Sequence, residues 1–179
     1  MFTTDQFIDD CRTAIGEVKA REAVNELLQQ ALSDPGTVIK ELGEPAKAGI
    51  YKIYQADDLT IINVVWGPGM VLHPHNHEMW AVIGIYTGRE DNTFYRRAGQ
   101  GLDRYGNKTL DTGDTIPLGN SVIHAVTNPL DRLTGAIHVY GGDFFDTPRS
   151  EWDPGSFAEK PYDLEHTRRV FAASNLGLK

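Results

Sequence analysis

Between Gly49 and Gly141 the chain never settles into a helical repeat. Short runs rich in Val, Ile, Thr and Tyr alternate with Gly, Asp, Asn and Pro: "YKIYQ", "LTIINVVW", "WAVIGIY", "NTFYRR", "DTIPL", "SVIHAV" and "TGAIHVY". β-branched and aromatic residues suit a pleated, half-buried surface, and the intervening residues supply turns. Without helices between the strands, a parallel α/β sheet has no crossovers. The pattern therefore predicts an antiparallel sandwich or barrel of the jelly-roll kind.

The flanks read differently. Residues 1–43 read as short helices. Thr3 and Gln6 fit a capping box, and Phe7, Ile8, Cys11 and Ile15 share a helical face. Val24, Leu27, Leu28, Ala31 and Leu32 repeat that period until "SDPG" stops it; Pro35 then opens a third helix that Gly43 closes. After the β region, 49–141, the remainder 142–179 is expected to hold a loop, "DTPRSEWDPGSF", and a last helix from Asp163 to about Ser174. The 179 residues are enough for one domain, 1–179, with an all-β core between short helices.

Charge and cysteine content narrow the function classes. A net charge of −8, from 25 acidic and 17 basic residues, argues against a nucleic-acid partner. No stretch is long and apolar enough for a membrane span. Cys11 is the only cysteine, so an intrachain disulfide is excluded. With an acidic start, "MFTTDQFIDD", that does not read as a signal peptide, a cytoplasmic location is expected. The sequence leaves a homodimer open.

Three of the six histidines, His73, His75 and His77, stand at alternate positions in "VLHPHNHEMW". On a strand, side chains two apart share a face roughly 6–7 Å apart, close enough for two imidazoles to meet one metal ion. Three in a row span roughly 13 Å, so one of them is expected outside the set. Locally bonded or exposed histidines, clustered without a ligand, are the alternative.

The stretch from Gly69 through His75-Asn76-His77 to Gly88 resembles the first motif of the cupin superfamily, and its spacing there selects His75 and His77 over His73. "GDTIPLGNSVIHAVTN" resembles the second motif, with Gly113, Pro117, Gly119, His124 and Asn128 in order but two gaps of unusual length. The resemblance implies a cupin double-stranded β-helix, a jelly-roll barrel, with His124 as third metal ligand. Where many cupins carry a glutamate ligand this chain has Ala81, and Glu78 falls on the opposite strand face. Three neutral imidazoles would leave the ion its full charge and an open side for an anionic ligand, a thiolate above all.

"HNHEMWAVIG" and "AIHVYGG" resemble segments of the thiol dioxygenases, in the group that includes cysteine and 3-mercaptopropionate dioxygenases. That resemblance extends to the N-terminal helices. It implies iron(II), with nickel, zinc or manganese as other ions three imidazoles accept. It implies a small thiol and O2 as reactants and a sulfinic acid as product. It also implies that Tyr140 positions them and that His138 orients Tyr140, although the family's serine partner of that histidine is here Ala136. On spacing alone, His138 and Tyr140 fit an ordinary amphipathic strand equally well. Arg149 stands where the mercaptopropionate branch places its carboxylate-binding arginine; a surface loop arginine is the other reading, with Lys52, Arg89, Arg96 and Arg97 as fallback cations. Trp80 and Phe144 are candidates to wall the pocket, with ordinary core packing as the other reading. A cupin that binds a metal or ligand without oxidising it, and a different cupin dioxygenase or isomerase, remain as alternatives.

Overall fold

The structure, a computed structural model, describes residues 1–99 and 101–178. Three helices come first: α1 (Thr4–Ala14), α2 (Ala20–Leu32) and α3 (Pro35–Leu42). Eleven strands follow: β1 (Gly49–Gln55), β2 (Thr60–Trp66), β3 (Val71–Asn76), β4 (Ala81–Thr87), β5 (Arg89–Ala98), β6 (Gly101–Asp111), β7 (Thr115–Leu118), β8 (Ile123–Thr127), β9 (Thr134–Tyr140), β10 (Ser150–Trp152) and β11 (Glu159–Pro161). Helix α4 (Leu164–Ser174) and one 3₁₀ turn follow.

The strands form two sheets, ordered β1-β2-β9-β4-β7 and β11-β10-β3-β8-β5-β6. Neighbouring strands pair antiparallel throughout both. The sheets face each other as the two halves of a double-stranded β-helix. Strand alternation sorts the core. Ile62, Val64, Ile83 and Tyr140 of the first sheet point inward with Val126 of the second. Ile61, Val82, Ile137 and Val139 point outward, where Phe7, Cys11, Val24 and Leu28 of α1 and α2 cover them. Helices α1 to α3 are therefore an outer cover on one sheet and take no part in the space between the sheets, whereas α4 sends Phe171 into it.

Helix boundaries agree with the reading from sequence, but one cap does not. Gly43 ends α3 with φ of +87°, the left-handed region that glycine tolerates best. Asp163 caps α4 by accepting from the His166 N–H at 2.8 Å. Thr3 is the N-cap of α1 yet makes no side-chain cap bond, and Gln6 donates instead to Asp10, so the capping box does not form. Two segments differ further. β6, "GLDRYGNKTLD", is polar, with few of the residues that mark strands, and is held as the edge partner of β5. The expected loop 146–157 contains β10, which joins β3 through Glu151 opposite His75.

Candidate metal centre

A break in β3 decides which histidines meet. Its pairing with β8 shifts register between Leu72 and His75, around buried Pro74. The bulge turns His73 out to solvent, where only its carbonyl serves the site, accepting from His75 Nδ1 at 2.9 Å. His75 then lies directly opposite His124 on β8, and His77 follows one residue beyond the strand end. One ring nitrogen from each of His75, His77 and His124 lies within 4.8 Å of the other two. Glu78 has φ of +58° and is exposed, outside this cluster.

The donor chemistry of this trio fits a divalent transition ion. His75 Nδ1 and His124 Nδ1 face oxygen acceptors, the latter Asn92 Oδ1 at 2.6 Å. Each therefore carries its proton there and keeps an Nε2 lone pair. The His124 and His77 Nε2 atoms approach to 3.3 Å, while His77 Nδ1 is buried without a partner. Burial is the largest influence on their protonation. It holds His75 down to about pKa 4 and, with the neighbouring imidazoles, His77 and His124 well below the usual histidine range. Neutral imidazoles at neutral pH need lose no proton to bind an ion.

Beside the trio lies a cavity of about 20 Å³ between the sheets, lined in part by His138, Tyr140, Phe144, Tyr162 and Phe171. The Tyr140 ring stands edge-on to His77 at 5.1 Å, and its hydroxyl is 3.0 Å from His138 Nδ1. Burial raises the Tyr140 pKa, so the phenol keeps its proton. Arg149 is only 8% exposed although it precedes β10 in a surface segment. Its guanidinium is sandwiched between Phe144 and Tyr162, 4.4 and 4.1 Å from their ring centres. Those rings lead to the site: Phe144 is 4.6 Å from Tyr140 and Tyr162 is 6.0 Å from His75. Nη1 donates to the Phe144 and Thr147 carbonyls at 2.6 and 3.2 Å, but buried Nε and Nη2 have no partner.

The fallback cations are occupied elsewhere. Lys52 is exposed and donates to Gln55, Arg89 pairs with Asp91, Arg96 faces Asp103, and Arg97 pairs with Glu159. Trp80 is a correction: it packs on the helix-covered side of the sheet, against Gly141, and does not line the cavity. Alternation holds through this stretch: Met79 and Ala81 face the space between the sheets, and Trp80 between them faces the helices. Phe144 does line the cavity.

Several contributors were not read from sequence. Tyr162, Phe171 and Trp66 reach the cavity from distant segments. Glu90 and Asn92 are buried on β5 behind His124 and His138. The signal for that pair was the alternation Glu90, Asn92, Phe94, which reads equally as a solvent face until the register is known.

No protein-family model matches the sequence. The structure is similar to an RmlC-like cupin family protein with a double-stranded β-helix fold from Methanocaldococcus jannaschii, at 12% identity and a TM-score of 0.48, over 57% of this chain and 87% of that one. It is also similar to a protein from Thermus thermophilus, at 17% identity and a TM-score of 0.45, over 55% of this chain and 87% of that one. Oxalate oxidase in complex with the substrate analogue glycolate aligns at 13% identity and a TM-score of 0.44, over 56% of this chain and 53% of that one. The fold assignment itself follows from the strand order and pairing. The barrel is a double-stranded β-helix.

Proposed function

We propose that this barrel is a mononuclear iron(II) thiol dioxygenase, converting a small thiol that carries a carboxylate into its sulfinic acid. The overall change, thiol plus O2 to sulfinic acid, places both oxygen atoms on sulfur and needs no external reductant. The observation that carries this reading is Arg149: a buried guanidinium with two unpartnered nitrogens, Nε and Nη2, next to three imidazoles that can hold a cation. Among the described residues it forms no ion pair. A buried charge without a counter-charge is costly, and a ligand carboxylate matching the guanidinium fork would relieve it.

His75, His77 and His124 would hold the ion. When bound, iron(II) supplies a site at which a thiolate and O2 can meet and exchange electrons. The protein does the rest by placement. Arg149 fixes the carboxylate, with Phe144 and Tyr162 excluding water from that pair and so strengthening it. Tyr140, kept as a phenol, offers a hydroxyl at the cavity wall while His138 holds its ring in place. The aromatic lining of the cavity favours the sulfur and methylene part of a substrate over water.

The test is direct. Protein loaded with iron(II) without air is mixed with cysteine, 3-mercaptopropionate and mercaptosuccinate, and O2 uptake is followed against sulfinate formed. One O2 per sulfinate is expected with at least one of them. Folded, iron-loaded protein that consumes no O2 with any thiol would leave a barrel that binds without oxidising.

A further inference from the structure

We infer that Glu90 is the positioning residue for both halves of the site, standing in function where the serine partner of His138 is missing. Residues 90, 92 and 94 alternate inward on β5. Glu90 is fully buried, beneath the trio and facing the opposite sheet. Each carboxylate oxygen serves a different arm.

The first arm ends on His124. Asn92 Nδ2 donates to Glu90 Oε1 at 2.9 Å. That bond fixes which end of the amide points away, so Asn92 Oδ1 faces His124 Nδ1 at 2.6 Å and must accept its proton. His124 is thereby locked with Nε2 unprotonated and turned toward His77.

The second arm ends on Tyr140. Glu90 Oε2 lies 3.7 Å from His138 Nε2, across the space between the sheets. Both atoms are buried and neither has a hydrogen-bond partner. A small movement of the Glu90 side chain joins the two. A carboxylate oxygen selects the His138 tautomer with its proton on Nε2. His138 Nδ1 is then an acceptor, and the Tyr140 hydroxyl must donate to it, turning the oxygen lone pairs toward the cavity. Ala136, inward-facing on the same strand and fully buried, offers His138 no polar partner.

One carboxylate thus sets the tautomer of a ligand histidine and the hydroxyl direction of the cavity tyrosine. The claim about tautomers stands without any metal; only its consequence for the ion rests on the function proposed above. Long-range proton–nitrogen correlation spectra of the metal-free protein, labelled with nitrogen-15, read each imidazole tautomer. The wild type is expected to show His124 protonated on Nδ1 and His138 on Nε2. In Glu90→Gln the side chain has one acceptor and one donor end, so one of the two histidines must switch. Asn92→Ala should release His124 and leave His138 unchanged, which also serves if Glu90→Gln does not fold. A wild-type His138 protonated on Nδ1, or a folded Glu90→Gln with neither tautomer altered, overturns the inference. Zinc titration supplies the second readout: Glu90→Ala should weaken binding about tenfold or more, the usual effect of losing a support behind a metal ligand. If the wild type shows both tautomers but binds no zinc, the metal reading fails and the assignment of Glu90 stands.

Discussion

At the scale of single residues, the bulge in β3 makes a sharp distinction among three neighbouring histidines. His75→Ala and His77→Ala each remove one of three imidazoles and should abolish retention of iron or zinc through gel filtration, whereas His73→Ala should leave metal content unchanged. Equal loss in all three would show that the trio is not the site. Arg149 carries the prediction about substrate. Truncating one partner of a desolvated charge pair typically costs about 2–5 kcal/mol. Arg149→Ala should therefore raise the apparent KM for a carboxylate thiol at least about tenfold, with metal content intact. Arg149→Lys should recover only part, because an ammonium lacks the two parallel donors. Cysteamine, which has no carboxylate, should be turned over, if at all, at the same rate by all three proteins. Wild-type kinetics of Arg149→Ala on acidic thiols would remove the anchor. The convergence of His75, His77 and His124 was legible through the motif resemblance that singled them out, while the role of Arg149 rests on resemblance and awaits its variant. Glu90, Asn92 and Tyr162 were not legible, because a polar side chain on an unregistered strand carries no mark of which face it occupies. Trp80 was misplaced because the expectation rested on its place just after the His-x-His pair and not on strand alternation, which sets it on the face opposite Met79 and Ala81.

Among the elements, the close approach of α2 to β4 is the contact most exposed to test. A Cβ on Gly84 would lie 2.5 Å from Leu32 Cδ1 and 2.7 Å from Leu28 Cδ2, both on buried residues. Gly84→Ala should push α2 outward and cost about 1–3 kcal/mol, read as a lower urea midpoint. Cys11 reports the same event chemically. Burial pushes its thiol up to about pKa 12, so an alkylating reagent at pH 8 should label it slowly in the wild type and faster in the variant. An unchanged midpoint would mean that the two leucines yield without penalty. Helices α1 to α3 and the strands of the first sheet were readable because their apolar residues recur at 3.6 or 2 positions. β6 and β10 were not: both are short of β-branched residues, β6 being carried by the hairpin it forms with β5 and β10 by β3, far back along the chain.

For the molecule as a whole, the buried imidazoles couple stability to pH. An unfolded histidine titrates near 6.5, while His75 in the fold titrates near 4 and His77 and His124 lie well below their usual range. Between those values the unfolded chain binds more protons, so the stabilising effect is complete above about pH 6.5 and is lost as pH falls toward 4. For His75 alone the loss approaches about 3 kcal/mol, and a denaturation midpoint of the metal-free protein that stays flat from pH 7 to 4.5 would contradict it. A bound ion acts in the opposite sense: at a hundredfold over Kd it adds about 2.7 kcal/mol, a Tm rise of roughly 5–10 °C for a chain of this length. The chain order of the site has a consequence of another kind. The three imidazoles lie between residues 75 and 124, whereas the guanidinium and the rings that enclose it arrive together in one later stretch, Phe144 through Tyr162, with Phe171 close behind. On the proposed reading, metal loading and ligand choice are written in separate passages of the gene, and a single crossover after β9 could exchange the second while the first passes on unaltered.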